Sequence, residues 1–189
     1  MSGLVVNIAK NEVIDLSKNS NVTSAQIGLS WEANSTPSRP FDLDASVLLL
    51  DAKNNLVELV FYNKLVSTDG GVIHNGDERE GSSSASYEEE ITVELSKVSA
   101  AIETLAISVS IHRSKQLGLR FGQVGNALVD VIPKGDDTIR HNLSTDSAND
   151  AAVIIAKLIR GPNNRWQVQG GGKSYPEFAD LLRDHGAVV

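Results

Sequence analysis

The sequence predicts a mainly β protein, a two-sheet antiparallel β-sandwich with short peripheral helices and a C-terminal helix. Short runs in which Val, Ile and Thr alternate with polar residues recur through the first three quarters of the chain. Turn sequences such as Lys53-Asn54-Asn55 and Pro133-Lys134-Gly135 separate these runs. Short strands at this spacing are typical of an antiparallel sandwich rather than of alternating strands and helices.

The runs define the candidate strands in chain order. They are Glu12 to Leu16, Thr23 to Trp31, Asp42 to Leu50, Leu56 to Tyr62, Glu88 to Leu95, Thr104 to His112, Ala127 to Ile132 and Thr138 to Leu143. Ala151 to Arg160 is apolar enough to be a helix or a strand, and the strand-like Arg165-Trp166-Gln167-Val168 that follows favours a hairpin.

The last helix is predicted over Tyr175 to His185. Pro176 suits its first position and Gly186 suits its end, and we expect the helix to lie across one end of the sandwich. The sequence also predicts helical turns at Ser96 to Glu103 and Arg113 to Gly118, and flexible segments at Gly81 to Ser86 and Gly170 to Gly172, the latter a hinge.

Length and composition predict one cytoplasmic domain, residues 1–189. The chain of 189 residues is 41% hydrophobic and contains no cysteine, which excludes disulfides and thiolate chemistry. It shows neither a signal peptide nor an apolar run long enough for direct insertion into a membrane. A net charge of −7 without a basic stripe argues against nucleic acid as a partner.

An acidic stretch between residues 40 and 90 suggests a metal site. It holds eleven of the twenty-four carboxylates against only three bases. Such like charge opposes compaction unless solvent or a cation offsets it. A single Asp-x-Asp is more often a solvated surface pair, but so many acids among turn glycines favour a cation held by oxygen ligands, with calcium ahead of magnesium. The spacing is not that of an EF-hand.

The ligand prediction begins at Asp42 and Asp44. Residues two apart in a strand point to the same side, so both carboxylates would share a face while Phe41 and Leu43 pack on the other. Acids and amides in the following loops could converge on this pair. The predicted metal ligands are Asp42, Asp44, Asn63, Asp69, Gly70, Asp77, Glu88 and Glu89.

These residues lie in blocks that resemble the signature of the TerD family of tellurium-resistance and stress proteins. The resemblance runs collinearly from about Asn11 to the C-terminus. The blocks are Phe41-Asp42-Leu43-Asp44-Ala45-Ser46, Phe61-Tyr62-Asn63, Ser67-Thr68-Asp69-Gly70, His74-Asn75-Gly76-Asp77, Ile111-His112 and Phe121-Gly122-Gln123-Val124.

The resemblance implies a β-sandwich with two neighbouring calcium ions, a cytoplasmic location and no established enzymatic activity. It also implies other Ter-family proteins and a membrane-bound Ter component as partners. Three departures concern the metal site: Pro40 stands where an acid is common, Glu78 where Asn is usual, and Gly81 to Tyr87 replace an acidic, glycine-rich loop. One of the two ions is therefore expected to be weaker or absent.

Two alternatives use the same acids. One is a metal-dependent hydrolase, for which His74 is the imidazole nearest in sequence that could act as a base. The other is a module in which calcium bridges the acids to an anionic lipid surface. Against these, the leading hypothesis is a non-enzymatic calcium-binding module whose ordered acidic loops form a partner-interaction surface.

Overall fold

The computed structural model describes residues 4–16, 22–32, 42–77, 87–135, 137–142 and 148–189. Within these ranges the chain forms two β-sheets packed face to face, with few helices and one of them at the C-terminus. All strand pairs are antiparallel except one, which confirms the predicted β-sandwich. No helix of the described residues is long and apolar enough to span a membrane.

Sheet A has six strands, with all strands of the fold numbered in chain order. Its strands are β1 (Val5–Asn7), β3 (Ser24–Glu32), β6 (Val72–Asp77), β7 (Glu89–Glu94), β9 (Gly125–Pro133) and β10 (Thr138–Asn142). The spatial order is β1-β10-β9-β3-β7-β6, so β1 and β6 are the two edges. The parallel pair is β1 with β10.

Sheet B has seven strands. They are β2 (Val13–Asp15), β4 (Leu43–Leu50), β5 (Leu56–Val60), β8 (Thr104–Ile111), β11 (Ala152–Arg160), β12 (Trp166–Gly170) and β13 (Ser174–Tyr175). The main path is β2-β12-β11-β8-β4-β5, and β13 pairs with the start of β11. The predicted hairpin of Ala151 to Arg160 with residues 165–168 is therefore present as β11 and β12.

The core lies between the inner faces of the two sheets. Alternate residues of β4, namely Leu43, Ala45, Val47 and Leu49, point into it. Sheet A contributes Ile27, Leu29, Ile91, Val93, Val129 and Val131 from its central strands. These aliphatic side chains are almost completely buried, and their burial is the main favourable term in folding.

Two short α-helices of the described residues lie outside the sandwich: α1 (Ser114–Leu117) and α2 (Phe178–Asp184). Helix α2 packs Leu181 and Leu182 against a second apolar cluster on the outer face of sheet B. The prediction that the last helix lies across one end of the sandwich is therefore wrong. Its predicted start is also too early, because Tyr175 belongs to β13 and Glu177 is the N-cap.

Some segments differ from the prediction in other ways. Strand β6 covers His74 to Asp77, where the turn-rich sequence predicts a loop. Ser96 to Glu103, for which helical turns are predicted, contains hydrogen-bonded turns that do not continue into a helix. Gly170 and Gly172 allow close packing rather than a hinge, because a Cβ there would lie 2.6 Å from the Ala9 carbonyl oxygen and 2.7 Å from that of Ile154. Gly81 to Ser86 lie outside the described residues.

Candidate functional site

Most of the predicted ligands lie at one end of the sandwich. Strand β4 begins directly after Asp42, β6 ends at Asp77, and β7 begins at Glu89, which pairs with Asp77. The Ala45 amide of β4 donates to the Glu89 carboxylate and ties the two sheets together there. We call the residues at this end, Asp42, Asp44, Asn63, Asp77, Glu88 and Glu89, the acidic end.

Asp44 occupies the outer face of sheet B. Its neighbours Leu43 and Ala45 point into the core, which confirms the predicted alternation for Leu43 and Asp44, whereas Phe41 lies outside the described residues. The Asp44 Oδ2 lies 3.3 Å from the His112 Nδ1, and the His112 amide donates to the Asp42 carbonyl oxygen at 2.8 Å. His112 therefore positions the backbone of one aspartate and the carboxylate of the other, while the Asp42 side chain is exposed.

Glu89 is a buried carboxylate of the acidic end, 6% exposed. Its Oε2 accepts the Ala45 N–H and lies 3.8 Å from the His74 Nε2. Because β5 pairs with β4 only from Val47 onward, Glu89 completes the hydrogen bonding of β4 where β5 has ended. Glu88, one residue earlier, is exposed.

His74 is enclosed in the protein. Its side chain is 1% exposed, and the Gly76 amide donates to its Nδ1 at 3.1 Å. In a neutral ring this hydrogen bond places the proton on Nε2, the atom that faces Glu89. A histidine held in this way supports the fold between the sheets and does not face solvent.

Asn63 lies in an exposed turn near the same end. The Phe61 and Lys64 backbones exchange hydrogen bonds of 3.0 and 2.8 Å and close a two-residue turn over Tyr62 and Asn63. The turn follows β5, whose last residue Val60 pairs with Val47. It leaves the Asn63 amide exposed to solvent.

Asp69 and Gly70 lie at the other end of the sandwich. They precede β6, whose far end carries Asp77, and a strand of this length separates its ends by roughly 15 Å. The Asp69 carboxylate accepts hydrogen bonds from the Ser67 hydroxyl at 2.6 Å, the Gly71 amide at 2.8 Å and the Ser99 amide at 2.7 Å. Gly70 has a φ of +69° in the same turn. These two residues cannot share an ion with the acidic end.

The charge state of Asp69 follows from these contacts. Burial acts to raise the pKa of its carboxyl, but the hydrogen bonds from Ser67, Ser99 and Gly71 outweigh burial and lower that pKa below its usual value. The ionised Asp69 therefore stabilises the turn that leads into β6.

The described residues supply only part of a metal-ligand set. Among them, no three His, Asp or Glu side chains lie close enough together to hold a metal ion. Asp42, Asp44 and Glu88 offer accessible oxygens at the acidic end, whereas Glu89 is already hydrogen-bonded. Two more acids of the stretch, Glu78 and Glu80, lie outside the described residues. The accessible oxygens suit a hard cation, but the described carboxylates alone do not supply the six to eight oxygens that calcium takes.

A cleft of about 610 Å³ opens beside Asp44 on the outer face of sheet B. Ser46 and Ser110 form its floor, α1 and α2 its two walls, and Phe61 and Tyr62 one end. This cleft is absent from the sites that the sequence predicts. A signal was present, because Ser108 and Ser110 alternate with core residues of β8, which indicates a polar outer face covered by another element.

Comparison with known proteins agrees with the fold. The TerD domain family matches residues 4–185. Tellurium resistance protein TerD of Serratia marcescens is 32% identical over 177 residues, covering 90% of this chain and 91% of that protein. General stress protein 16U of Bacillus subtilis is 32% identical over 194 residues, covering 98% and 100%. A crystal structure of a TerD homologue from Streptomyces coelicolor superposes with a TM-score of 0.70 at 19% identity, covering 89% of this chain and 99% of that one.

The fold and the extent of these matches define a β-sandwich protein of the tellurium-resistance and stress-response class. The chain belongs to the TerD domain family.

Proposed function

We propose that the protein is a calcium-binding, non-enzymatic module of a bacterial tellurite and stress-resistance system. The observation that carries the proposal is the position of Asp42, Asp44 and Glu88 at the end of the sandwich where β6 also ends at Asp77, within a stretch of eleven carboxylates and three bases. Calcium accepts six to eight oxygens of mixed type and tolerates irregular geometry. One such ion would offset the repulsion among these acids.

Each accessible residue has a role in this proposal. Asp42 and Asp44 bind the ion through carboxylate oxygens. His112 orients the carboxylate of Asp44 and the backbone of Asp42. Asn63 can add an amide oxygen from its exposed turn. Glu89 acts as a support, because its carboxylate is already engaged by Ala45. Asp69 and Gly70 are left out of this set, since they lie beyond the far end of β6.

We further propose that calcium orders the acidic end into a surface for a protein partner in the cytoplasm. By analogy with the resistance proteins to which the chain is related, such partners would be other Ter-family proteins and a membrane-bound Ter component. The ion would convert a repelling group of anions into a fixed arrangement, so that partner binding depends on calcium.

A hydrolytic role has less support. A metal-dependent hydrolase needs a base that reaches a substrate beside the ion. His74 is enclosed between the sheets and hydrogen-bonded through Nδ1 to the Gly76 amide. His112, a half-buried histidine of this end, already contacts Asp44.

Thermal unfolding and titration calorimetry test the calcium proposal. Calcium at about a hundred times its Kd should stabilise the folded state by about 2.7 kcal/mol, which raises the Tm by about 5–10 °C relative to excess EGTA. The double variant Asp42→Asn with Asp44→Asn should lose both this shift and the calorimetric signal. An unchanged wild-type Tm between EGTA and millimolar calcium, with no heat of binding, contradicts the proposal.

Glu12→Gln is the matched control. Glu12 lies beside β2, at the edge of sheet B opposite β5, and its Oε2 accepts the Ala9 amide at 2.9 Å. Glutamine removes one negative charge but keeps an oxygen acceptor for that amide. The variant should therefore bind calcium as the wild type does. Loss of calcium binding in this control would mean that net charge, rather than a site, is responsible.

A further inference from the structure

The cleft beside Asp44 has the dimensions and lining of a small-molecule site. Its volume of about 610 Å³ lies within the usual range for such sites. Aromatic side chains line two parts of it: Phe178 on α2, and the pair Phe61 and Tyr62, whose rings meet edge to face at 5.2 Å between centroids. Tyr62 is 51% exposed, so its ring is available to a ligand.

Buried hydroxyl groups form the floor between these rings. Ser46 and Ser110 are 2% and 7% exposed, and both line the cleft. The Ser46 Oγ lies 2.8 Å from the Oγ of Ser108, its cross-strand partner on β8. A bound ligand would therefore meet hydrogen-bonding groups at the base and apolar rings at the sides.

The cleft carries two cations that no carboxylate of the described residues pairs with. Its own carboxylates each contact a basic side chain: Asp44 meets His112 at 3.3 Å, Glu177 meets Arg120 at 3.4 Å and Asp180 meets Arg183 at 2.9 Å. Arg113 and Lys115 have no such partner within the described part of the chain, although the protein carries a net charge of −7. Two uncompensated cations beside aromatic rings favour an anionic ligand.

Arg113 is also held in a backbone conformation that suits arginine poorly. Its φ of 51° and ψ of 27° are left-handed, and its side chain makes no capping hydrogen bond to α1. Every other non-glycine residue with positive φ in the described chain is an asparagine, namely Asn11, Asn54, Asn163 and Asn164. Asparagine tolerates this region, whereas arginine is strained there. Strained backbone is often retained at functional sites, so the conformation of Arg113 indicates that its side chain has a role in the cleft.

We propose that this cleft binds a small organic anion with a planar body. A phosphate or carboxylate group interacts with Arg113 and Lys115, and the planar body lies against Phe61, Tyr62 and Phe178. The Ser46 and Ser110 hydroxyls lie at the base of the ligand. The contacts to this anion include no metal ion, although Asp44 belongs both to the cleft lining and to the acidic end.

Amide chemical shifts of the full chain, recorded in excess EGTA, test the proposal with three probes: phenyl phosphate, inorganic phosphate and benzyl alcohol. Phenyl phosphate should shift the amides of residues 110–117 and 178–183 saturably. Inorganic phosphate lacks the ring and benzyl alcohol lacks the charge, so the Kd of each should be about tenfold or more higher than that of phenyl phosphate. Inorganic phosphate that binds equally well, or phenyl phosphate that leaves these amides unmoved, overturns the proposal.

Arg113→Asn separates binding from folding. Asparagine relieves the left-handed strain, so the variant should melt at the same temperature or about 2–4 °C higher. It should nevertheless bind phenyl phosphate about tenfold more weakly, because a charged donor is lost. Lys115→Gln, which involves no strained backbone, should also weaken binding.

The control is the double variant Lys97→Gln with Lys134→Gln, which removes two exposed cations that are not part of the cleft lining. It should bind phenyl phosphate as the wild type does. Unchanged affinity in Arg113→Asn and Lys115→Gln overturns the proposal whatever their melting temperatures. An equal loss in the control would also overturn it, since binding would then follow net charge.

Discussion

Asp69 illustrates how a carboxylate in the acidic stretch can serve the fold. Its two oxygens accept hydrogen bonds from one hydroxyl and two backbone amides, and these contacts join the turn before β6 to the loop between β7 and β8. A charged acceptor makes stronger hydrogen bonds than a neutral one. The same residue type thus anchors a turn at one end of the sandwich and remains exposed, as in Asp42, at the other.

Asp69→Asn should destabilise the protein by about 1–2 kcal/mol at neutral pH, because the amide keeps one acceptor oxygen and loses the other. The pKa of Asp69 is lowered in the folded state from 3.8, so its contribution is present above that value and is lost as pH falls through the lower folded pKa. Denaturant unfolding should therefore show the wild type and the variant converging below about pH 4. A constant difference down to pH 2 would contradict this reasoning.

Asp69 and Glu89 make hydrogen bonds inside the protein, and they explain why the ligand set could not be predicted from the sequence. Asp69 and Glu89 look like their exposed neighbours in composition and spacing. Only the pairing of strands shows that Asp69 precedes β6 while Asp77 ends it, and that the Glu89 side chain points inward. The Asp42 and Asp44 pattern, by contrast, follows directly from strand alternation.

At the scale of single elements, the packing of β3 depends on Gly28, because glycine has no side chain. A Cβ at Gly28 would lie 2.4–2.5 Å from ring carbons of Tyr87, so the ring packs flat on the strand. The Tyr87 hydroxyl donates to Asp130 Oδ2 at 2.7 Å, and Arg140 pairs with both oxygens of this buried aspartate. Burial, followed by the contact with Asp130, raises the pKa of Tyr87 to about 12. This arrangement fixes the chain where it enters β7.

Gly28→Ala should reduce the free energy of unfolding by about 1–3 kcal/mol, since the ring must move and weaken its hydrogen bond to Asp130. In a Tyr87→Ala background the same substitution should cost little or be slightly stabilising, because alanine suits a strand better than glycine. A double-mutant cycle in denaturant measures the coupling. Equal costs in the two backgrounds would show that the ring does not limit this position.

The sequence does not clearly predict strands β11 and β6, because packing in the folded protein determines both of them. Strand β11 is covered by the sandwich core on one face and by α2 on the other, so its sequence is apolar throughout and lacks alternation. Strand β6 contains His-Asn-Gly-Asp, which is typical of turns, yet Val72 and His74 point inward and the strand pairs with β7. Tertiary packing overrides local preference in both cases.

At the scale of the whole molecule, the two sheets are joined along both sides. On one side the chain passes from β1, the edge of sheet A, to β2, the edge of sheet B. On the other it passes from β5, the opposite edge of sheet B, to β6, the opposite edge of sheet A. The alternating strand pattern predicts a sandwich, but which strands form the edges is a property of long-range pairing that the pattern does not encode.

The chain crosses from β1 to β2 and so places a short strand at one edge of each sheet, where it covers β10 or β12 against self-association. Without residues 1–16, β10 and β12 would each present a free row of amide and carbonyl groups, because β1 and β2 are their outer neighbours. We expect this deletion variant to form oligomers or aggregates at micromolar concentration, detectable by light scattering, while Val5→Thr with Val13→Thr in the intact chain stays monodisperse to the same degree as wild type. A deletion variant as monodisperse as the wild type would contradict this expectation. If the deletion variant does aggregate, the short edge strands β1 and β2 act as covers that keep β10 and β12 from pairing with a neighbouring molecule, at the expense of exposing Val5, Val6 and Val13.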